Sequence, residues 1–404
     1  MIFFIPGILL SFWVVLSAYL YWEPFVALLN NPTLSGPPVP PKMAPGLYFL
    51  VLVPCHNEEP NLKALAETFS RQDYSHDQFE VVIIADHCTD RTAEVARSLG
   101  MRVVERCDGP RSWRGAAVND VLSTHLINET FDGLVLLDVD AQVEPDFLTR
   151  VERYLIAGIP ALQCATRTKN PTESSLSQVG DLIQVLIRNH QRGLSLRGNA
   201  PFIIGSHGVV LSRKTLDLLE WRTNTDQLAD DAELGFLCFL KGIPFSYAPD
   251  IAVANEVVPG AQILQRQRRR WSQSSLNLIP RYAWPLFLRA LRGDQGAWAM
   301  LFGVLLIPAF STLLFLSAGL SLLFGFLGFW YGPFFVLASV TLLVTGAHVV
   351  YLLWSLSRGG RSLRARDVRG LVIYCGVRFI SLLQAPFAVK SNRFTPASHV
   401  KENP

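Results

Sequence analysis

The sequence predicts an α/β protein: a mostly parallel sheet flanked by helices, held between N-terminal and C-terminal transmembrane helices. Three observations predict it. Short apolar runs that end in polar residues alternate with amphipathic segments through the middle of the chain. Long uncharged stretches sit towards its two ends. And Leu134-Val135-Leu136-Leu137-Asp138-Val139-Asp140 reads as an apolar strand that runs out in two aspartates. Half of the 404 residues are hydrophobic and only 17% are charged, which is greasier than an ordinary soluble protein. A net charge of +3 carries no nucleic-acid signal. The six cysteines are scattered without a Cys-x-x-Cys pair, so neither a disulfide framework nor a zinc site is expected, and a reducing compartment fits.

Residues 1–30 form the first element. From Ile2 to Trp22 there is no charge, enough length to cross a bilayer as a helix. The stretch has no basic leading region and no convincing small-residue cleavage site. It therefore reads as an uncleaved anchor, with a signal peptide as the competing reading. Residues 31–46 are proline-rich and read as a linker.

The next unit, residues 47–280, alternates strand and helix. Tyr48 to Val53 is a continuous apolar run, as in a strand buried on both faces. Asn61 to Arg71 is a helix with Leu62, Leu65 and Phe69 on one face. Phe79 to Ala85 is a strand, Thr89 to Leu99 a helix, Met101 to Val104 a short strand and Arg114 to Leu126 a helix. The strand ending in the aspartates follows. Such alternation implies a parallel sheet covered on both faces.

Residues 281–296 read as an interfacial helix, with Trp284, Phe287 and Leu288 set against Arg281, Arg289 and Arg292. Leu182 to Leu196 carries an apolar face plus Arg188 and Arg192, and reads as a second surface helix. Residues 297–390 hold the C-terminal membrane helices. The apolar stretch from Ala297 to Trp354 is divided by Gly328-Phe329-Trp330-Tyr331-Gly332-Pro333 into two spans. The basic segment from Arg358 to Arg366 belongs on the cytoplasmic side, which places the α/β unit there too. Gly370 to Val389 carries Arg378 and either crosses the membrane or lies along it. Residues 391–404 are a tail.

Ligands of parallel sheets bind beyond the carboxyl ends of the strands. The polar motifs fall there: Pro54-Cys55-His56-Asn57-Glu58-Glu59 after the first strand, Asp86-His87-Cys88-Thr89-Asp90 after the second and Asp138-Val139-Asp140 after a later one. At spacing two on a strand, Asp138 and Asp140 face the same way and repel unless a hard divalent cation sits between them. A plain polar exit from the strand is the other reading. Thr89 or Asp90 can simply cap the following helix, and Asn57 can serve a turn.

These motifs, with Arg114-Gly115-Ala116-Ala117-Val118-Asn119, resemble the nucleotide-sugar half of family-2 glycosyltransferases, which have the GT-A fold. Ala229-Asp230-Asp231-Ala232-Glu233-Leu234 is similar to that family's Thr-Glu-Asp box. Gln267-Arg268-Arg269-Arg270-Trp271 resembles the Gln-x-x-Arg-Trp motif of membrane-embedded members such as cellulose, chitin and hyaluronan synthases and ceramide glucosyltransferase. Ala85, Ala229, Asp230 and Ser272-Gln273-Ser274 depart from the usual pattern.

The resemblance implies roles. Asp138 and Asp140 would hold Mg²⁺ or Mn²⁺, which bridges the two phosphates of a UDP-sugar. His56, Glu58, Asp86, Arg114 and Asn119 would line the nucleoside side, and Arg270 would bind the diphosphate. Asp231 would be the general base for the acceptor hydroxyl. Asp230, Gln267, Trp271 and His207 would face the acceptor, although His207 also reads as a plain turn residue. Asp230 and Glu233 have a structural alternative, since acids in the first turn of a helix are favoured by its dipole. Arg266, Arg268 and Arg269 are expected to face lipid or solvent.

The expected protein is a multi-pass cell-membrane glycosyltransferase with a cytoplasmic catalytic domain, acting on a membrane-associated lipid or a polysaccharide. A processive synthase and a non-catalytic membrane scaffold that keeps the fold are the alternatives, and oligomeric state stays open. Arg393-Phe394-Thr395-Pro396 faintly resembles a loop that closes over the nucleotide in relatives.

Overall fold

The computed structural model describes residues 4–30, 46–108, 114–126, 128–195, 208–219, 230–257, 260–301, 310–358 and 364–388. The expected linker over 31–45, His207 and the Arg393–Pro396 segment lie outside the described residues.

Strand β1 (Phe49–Cys55) is the centre of the sheet because its residues are apolar on both faces. Phe49, Val51, Val53 and Cys55 pack on one side, and Leu50 and Leu52 on the other. β2 (Phe79–Asp86) and β4 (Gly133–Leu136) flank it in parallel, and β3 (Arg102–Arg106) extends the sheet beyond β2. On the other edge come β7 (Val209–Ser212), β6 (Ala161–Thr168), β8 (Ser246–Asn255) and β5 (Gln142–Val143). The full order is β3-β2-β1-β4-β7-β6-β8-β5. β7 is antiparallel to both its neighbours and β5 is antiparallel to β8, so the sheet is mixed: β3, β2, β1 and β4 run parallel as expected, and in the other half β6 and β8 also pair in parallel.

Helices cover both faces. α2 (Leu62–Ser70), α3 (Thr92–Ser98) and α5 (Phe147–Ile156) build one core with the odd-numbered residues of β1. α4 (Arg114–Thr124), α7 (Arg213–Leu219) and α8 (Asp230–Leu240) build the other. Each fully buried Leu, Ile or Phe in these layers contributes about 1.5–3 kcal/mol of transfer free energy.

α1 (Phe4–Asn30), α11 (Phe310–Gly328) and α12 (Phe334–Arg358) pack through Val14, Leu320, Phe324, Phe334 and Leu337. The turn between α11 and α12 falls on the aromatic-glycine segment, as the sequence implies. Ser321 bonds Thr341 at 3.0 Å and Thr345 bonds Ser317 at 3.0 Å across this hairpin, the small-hydroxyl packing that suits helices in lipid. Among the described residues α12 alone is long and apolar enough to cross a membrane, and shorter apolar stretches occupy Ile5–Leu16 and Thr312–Gly328.

Two helices differ from the sequence reading. α6 (Ser175–Ser195) is not a free surface helix. Leu182 and Leu186 pack on Phe25, Tyr351, Leu352 and Leu356, so α6 joins the sheet to the apolar helices. α9 runs unbroken from Ala261 to Leu291, through Pro280 and Pro285, so no boundary separates the family motif from the 281–296 segment. Its second half is half-covered: Leu278, Tyr282, Leu286 and Ala290 pack on Phe236 of α8 and on Ala297 and Met300 of α10 (Gln295–Met300). α13 (Ala365–Ala388) lies against α6 and α9 through Leu371, Tyr374 and Val377.

Candidate active site

The parallel strands β1, β2 and β4 bring three loops to one end of the sheet. The loops after β1 and β2 are laced together. Asn57 Oδ1 accepts from the Thr89 backbone N–H at 2.7 Å, and its Nδ2 donates to Thr89 Oγ1 at 3.0 Å. The Glu58 N–H donates to Thr92 Oγ1 at 2.8 Å, and Glu59 pairs with Arg91 at 2.5 Å. Asn57 (φ 57°) and His87 (φ 52°) hold left-handed backbone, which is strained for residues with a Cβ. Strain of this kind concentrates where a loop must present groups to a ligand. Asp90 does what its capping alternative said: its Oδ1 accepts from the Thr92 N–H at 3.0 Å at the start of α3.

Asp86 ends β2 with little exposure. Its Oδ1 meets His87 Nδ1 at 3.0 Å and forms an ion pair with Arg106, whose Nε continues to Asp120 of α4 at 2.7 Å. His56 is tied in by a 2.8 Å contact between Nδ1 and the Asp86 carbonyl. Glu58 accepts from Asn61 Nδ2 at 2.7 Å. The Cys55 thiol is pushed well above its ordinary pKa, first by burial and then by Glu58, Cys88, Asp138 and Asp90, so these acids surround the end of β1. All six cysteines are free.

The aspartate pair departs from its expected geometry. β4 ends at Leu136; the Leu137 N–H still bonds the Leu52 carbonyl at 3.1 Å, and the chain then turns, with the Ala141 N–H on the Asp138 carbonyl at 3.0 Å. Asp138 and Asp140 therefore sit on a tight turn rather than on one face of a strand. Asp138 pairs with Arg114 at 3.2 Å. Asp140 is held from the other side: Oδ1 by Asn255 Nδ2 at 3.3 Å and Oδ2 by the Glu256 N–H at 3.0 Å. Lys169 Nζ donates to the Asp140 carbonyl at 3.1 Å. A carboxylate has about four lone-pair sites, so each Asp140 oxygen keeps capacity beyond these bonds. Hard oxygens from two acids on one turn fit Mg²⁺ or Mn²⁺ that takes its other ligands from phosphate. Among the described residues no group of three His, Cys, Asp or Glu forms a cage by itself.

Asn119 is 2% exposed, and neither its Oδ1 nor its Nδ2 has a hydrogen-bond partner among the described residues. Asp230 and Asp231 open helix α8, and Gln267 and Trp271 lie on α9. The side chains of Asp230, Asp231 and Arg270 are outside the described set. Glu233 is held by partners on the next helix rather than by the helix dipole proposed as its structural alternative. It is 1% exposed and clasps α8 to α9, accepting from Arg281 at 2.8 Å and from the Tyr282 hydroxyl at 2.5 Å. Arg268, expected to face lipid or solvent, lays its guanidinium 4.2 Å over the half-exposed Trp271 ring.

Sequence reasoning missed Arg106, Asn255, Glu256 and Lys169. The signal for Asn255-Glu256 was a polar pair closing the alternating run of β8; Arg106 had no local signal. A cavity of about 380 Å³ lies elsewhere, lined by Asp73, Glu144, Asp146, Arg150 and Asp250, and it holds none of the expected site residues.

With the geometry fixed, comparison decides the family. The family model described as Glycosyltransferase like family 2 matches residues 45–274, more than half of the chain. The chain belongs to this family. The chain is 26% identical over 270 residues to a beta-monoglucosyldiacylglycerol synthase of Nostoc sp., covering 63% of this chain and 54% of that protein. It is 28% identical over 154 residues to a probable glucomannan 4-beta-mannosyltransferase of Arabidopsis thaliana, covering 37% of this chain and 28% of that one. It is 24% identical over 236 residues to an N-acetylglucosaminyltransferase of Rhizobium leguminosarum bv. viciae, covering 56% of this chain and 55% of that protein. The chain spans about half the length of the glucosyldiacylglycerol synthase it matches. Among solved structures, a mannosyltransferase of Pyrobaculum calidifontis, in complex with GDP-Man and Mn²⁺, superposes with a TM-score of 0.54 at 19% identity. That superposition covers 85% of this chain and 99% of that one, and the family-2 domain shares its fold.

Proposed function

We propose that this family-2 protein is a membrane-bound, inverting glycosyltransferase that moves a sugar from a UDP-sugar to a membrane-associated lipid, with a divalent metal and an aspartate base. The observation that carries this reading is the placing of Asp86 and the Asp138–Asp140 turn at the carboxyl ends of β2 and β4, on either side of β1 and the laced loop that carries His56 and Glu58. Likeness to a glucosyldiacylglycerol synthase favours a lipid acceptor. The exposure of Leu322, Phe329 and Leu343, each near 80% (77%, 80% and 75%), favours lipid contact for α11 and α12. In this reading residues 297–390 and 1–30 are the membrane helices and 47–280 is the cytoplasmic catalytic domain.

Asp86, fixed by Arg106, receives the uracil edge. His56, Glu58, Arg114 and Asn119 line the nucleoside, and Arg270 meets the diphosphate with its planar fork. Bound Mg²⁺ or Mn²⁺ would neutralise charge developing on the departing diphosphate. Asp138 and Asp140 would hold it, and Asn255 and Glu256 fix Asp140. Asp231 takes the proton of the attacking hydroxyl. Asp230, Gln267, Trp271 and His207 border the acceptor.

Incubating the detergent-solubilised chain with radiolabelled UDP-glucose, UDP-galactose or UDP-GlcNAc and diacylglycerol tests the reading. One labelled glycolipid is the expected product, and Asp231→Asn abolishes it while leaving UDP binding intact. Full turnover by Asp231→Asn would refute the base. The glucomannan mannosyltransferase relatives favour a second reading, a processive polysaccharide synthase, which predicts long labelled chains instead. No product and no UDP binding with Mn²⁺ would leave the scaffold reading.

A further inference from the structure

At the seam between α9 and α13, two arginines face no acid among the described residues. Arg268 lies flat between two rings: its guanidinium carbon is 4.2 Å from the centroid of Trp271 on its own helix and 5.3 Å from that of Tyr374 on α13. Arg378 follows Tyr374 by one helical turn and so shares its face of α13. The Nε of Arg268 is buried without a hydrogen-bond partner. Among the described residues neither guanidinium reaches a carboxylate, whereas Arg102, Arg106, Arg114, Arg281 and Arg289 all do. Burial pulls the Arg268 pKa down to about 10, with Tyr374 opposing the shift and the charge of Arg378 adding to it. A desolvated cation beside a second cation is costly without a counter-charge, and the cost falls when an anion enters.

Guanidinium forks match phosphate oxygens. The surroundings say where that phosphate comes from. Val372, Ile373 and Ile380 are exposed apolar residues on the face of α13 turned away from Arg378, and Trp271 is 38% exposed beside Arg268. A helix that turns such a face outward suits acyl chains, which places lipid headgroups next to the seam. We propose that the α9–α13 seam binds the phosphate of an anionic lipid headgroup between Arg268 and Arg378. The choice of a lipid rests on the membrane-bound reading above. The site is separate from the positions given to donor, metal and base.

The test uses the full chain in nanodiscs of phosphatidylcholine with a minority of phosphatidylglycerol, with retained lipid counted by native mass spectrometry. Wild type should keep phosphatidylglycerol in preference to phosphatidylcholine. The double variant Arg268→Gln/Arg378→Gln should lose that preference about tenfold or more, the loss of charge-assisted hydrogen bonds to phosphate. Arg378→Lys should keep part of it, because the charge stays. Equal retention by wild type and the double variant, with both in nanodiscs, overturns the seam site and leaves the membrane reading standing. So does stabilisation of the detergent-solubilised protein by inorganic phosphate alone that matches phosphatidylglycerol, which would assign the seam to a free ion. A wild type that enters no nanodisc overturns the membrane reading as well.

Discussion

Asp86 of β2 and Arg106 of β3 form an ion pair at the carboxyl ends of adjacent parallel strands, with side chains 9% and 13% exposed. Arg106 reaches on to Asp120, so one cation sets the direction of the acid that would read the nucleobase. Breaking such a pair leaves a poorly solvated carboxylate behind. Arg106→Met should cost about 3 kcal/mol of stability and weaken UDP binding about tenfold. Urea unfolding and calorimetric UDP titration measure the two effects; a stability loss with unchanged UDP affinity would remove Asp86 from the nucleotide site.

Asp140 is aimed by residues 115 and 116 positions further along the chain, Asn255 and Glu256. Partners that orient a metal ligand typically change metal affinity by about 10–100-fold when removed. Asn255→Ala should therefore raise the Mn²⁺ concentration needed for half-maximal activity by about tenfold at little cost in UDP affinity without metal. An unchanged Mn²⁺ requirement would mean that Asp140 does not ligate.

The contrast between these acids marks what was legible in the sequence. β1, β2 and α4 announced themselves by continuous apolar runs and helical spacing, because burial on both faces leaves no room for polar residues. Positions at the strand ends were legible because the sheet dictates where loops gather. Side-chain direction was not. The alternation rule placed Asp138 and Asp140 on one face, but β4 stops at Leu136 and a turn sends one acid to Arg114 and the other to β8. β8 joins the sheet by long-range pairing that no local pattern encodes. The boundary expected after residue 280 is absent for a related reason: tertiary packing of Leu278, Tyr282 and Leu286 carries the helix through Pro280 and Pro285. Pairing across the α8–α9 contact, not helix dipole alone, explains Glu233.

Asp294 gives a pH signature. Its Oδ1 caps α10 by accepting from the Ala297 N–H at 3.2 Å, and its Oδ2 pairs with Arg289 at 2.5 Å. Burial raises its pKa, but Arg289 and the cap bonds together outweigh burial and leave it lowered. The stability it contributes is present above the unfolded value of about 3.9 and is lost as pH falls through the lower folded value. Asp294→Asn should be about 0.5–1 kcal/mol less stable than wild type near neutrality, with the gap closing below about pH 4. Chemical denaturation across pH checks it; a gap that persists at strongly acid pH would exclude the ion pair as its source.

Gly208 directly precedes β7 and sits in a tightly packed place. It adopts φ +71°, and a Cβ there would lie 2.7 Å from Val253 Cγ2 and 2.9 Å from Cys164 Cβ. Its N–H donates to the Leu136 carbonyl at 3.1 Å and its carbonyl accepts from Cys164 at 2.8 Å, so it bridges β4 to β6 one residue before the chain turns to Asp138. Gly208→Ala carries about 1–2 kcal/mol for left-handed backbone and about 1–3 kcal/mol for overpacking. The sum should appear as a loss of about 2–5 kcal/mol in denaturation. Because the strain falls on the end of β4, metal-dependent activity should drop further than in Val210→Ala, which thins the core elsewhere on the same sheet. Adding Val253→Ala to Gly208→Ala should restore part of both losses, since the two side chains compete for one space. Strict additivity of the two substitutions would show that the glycine is required by its backbone angle alone.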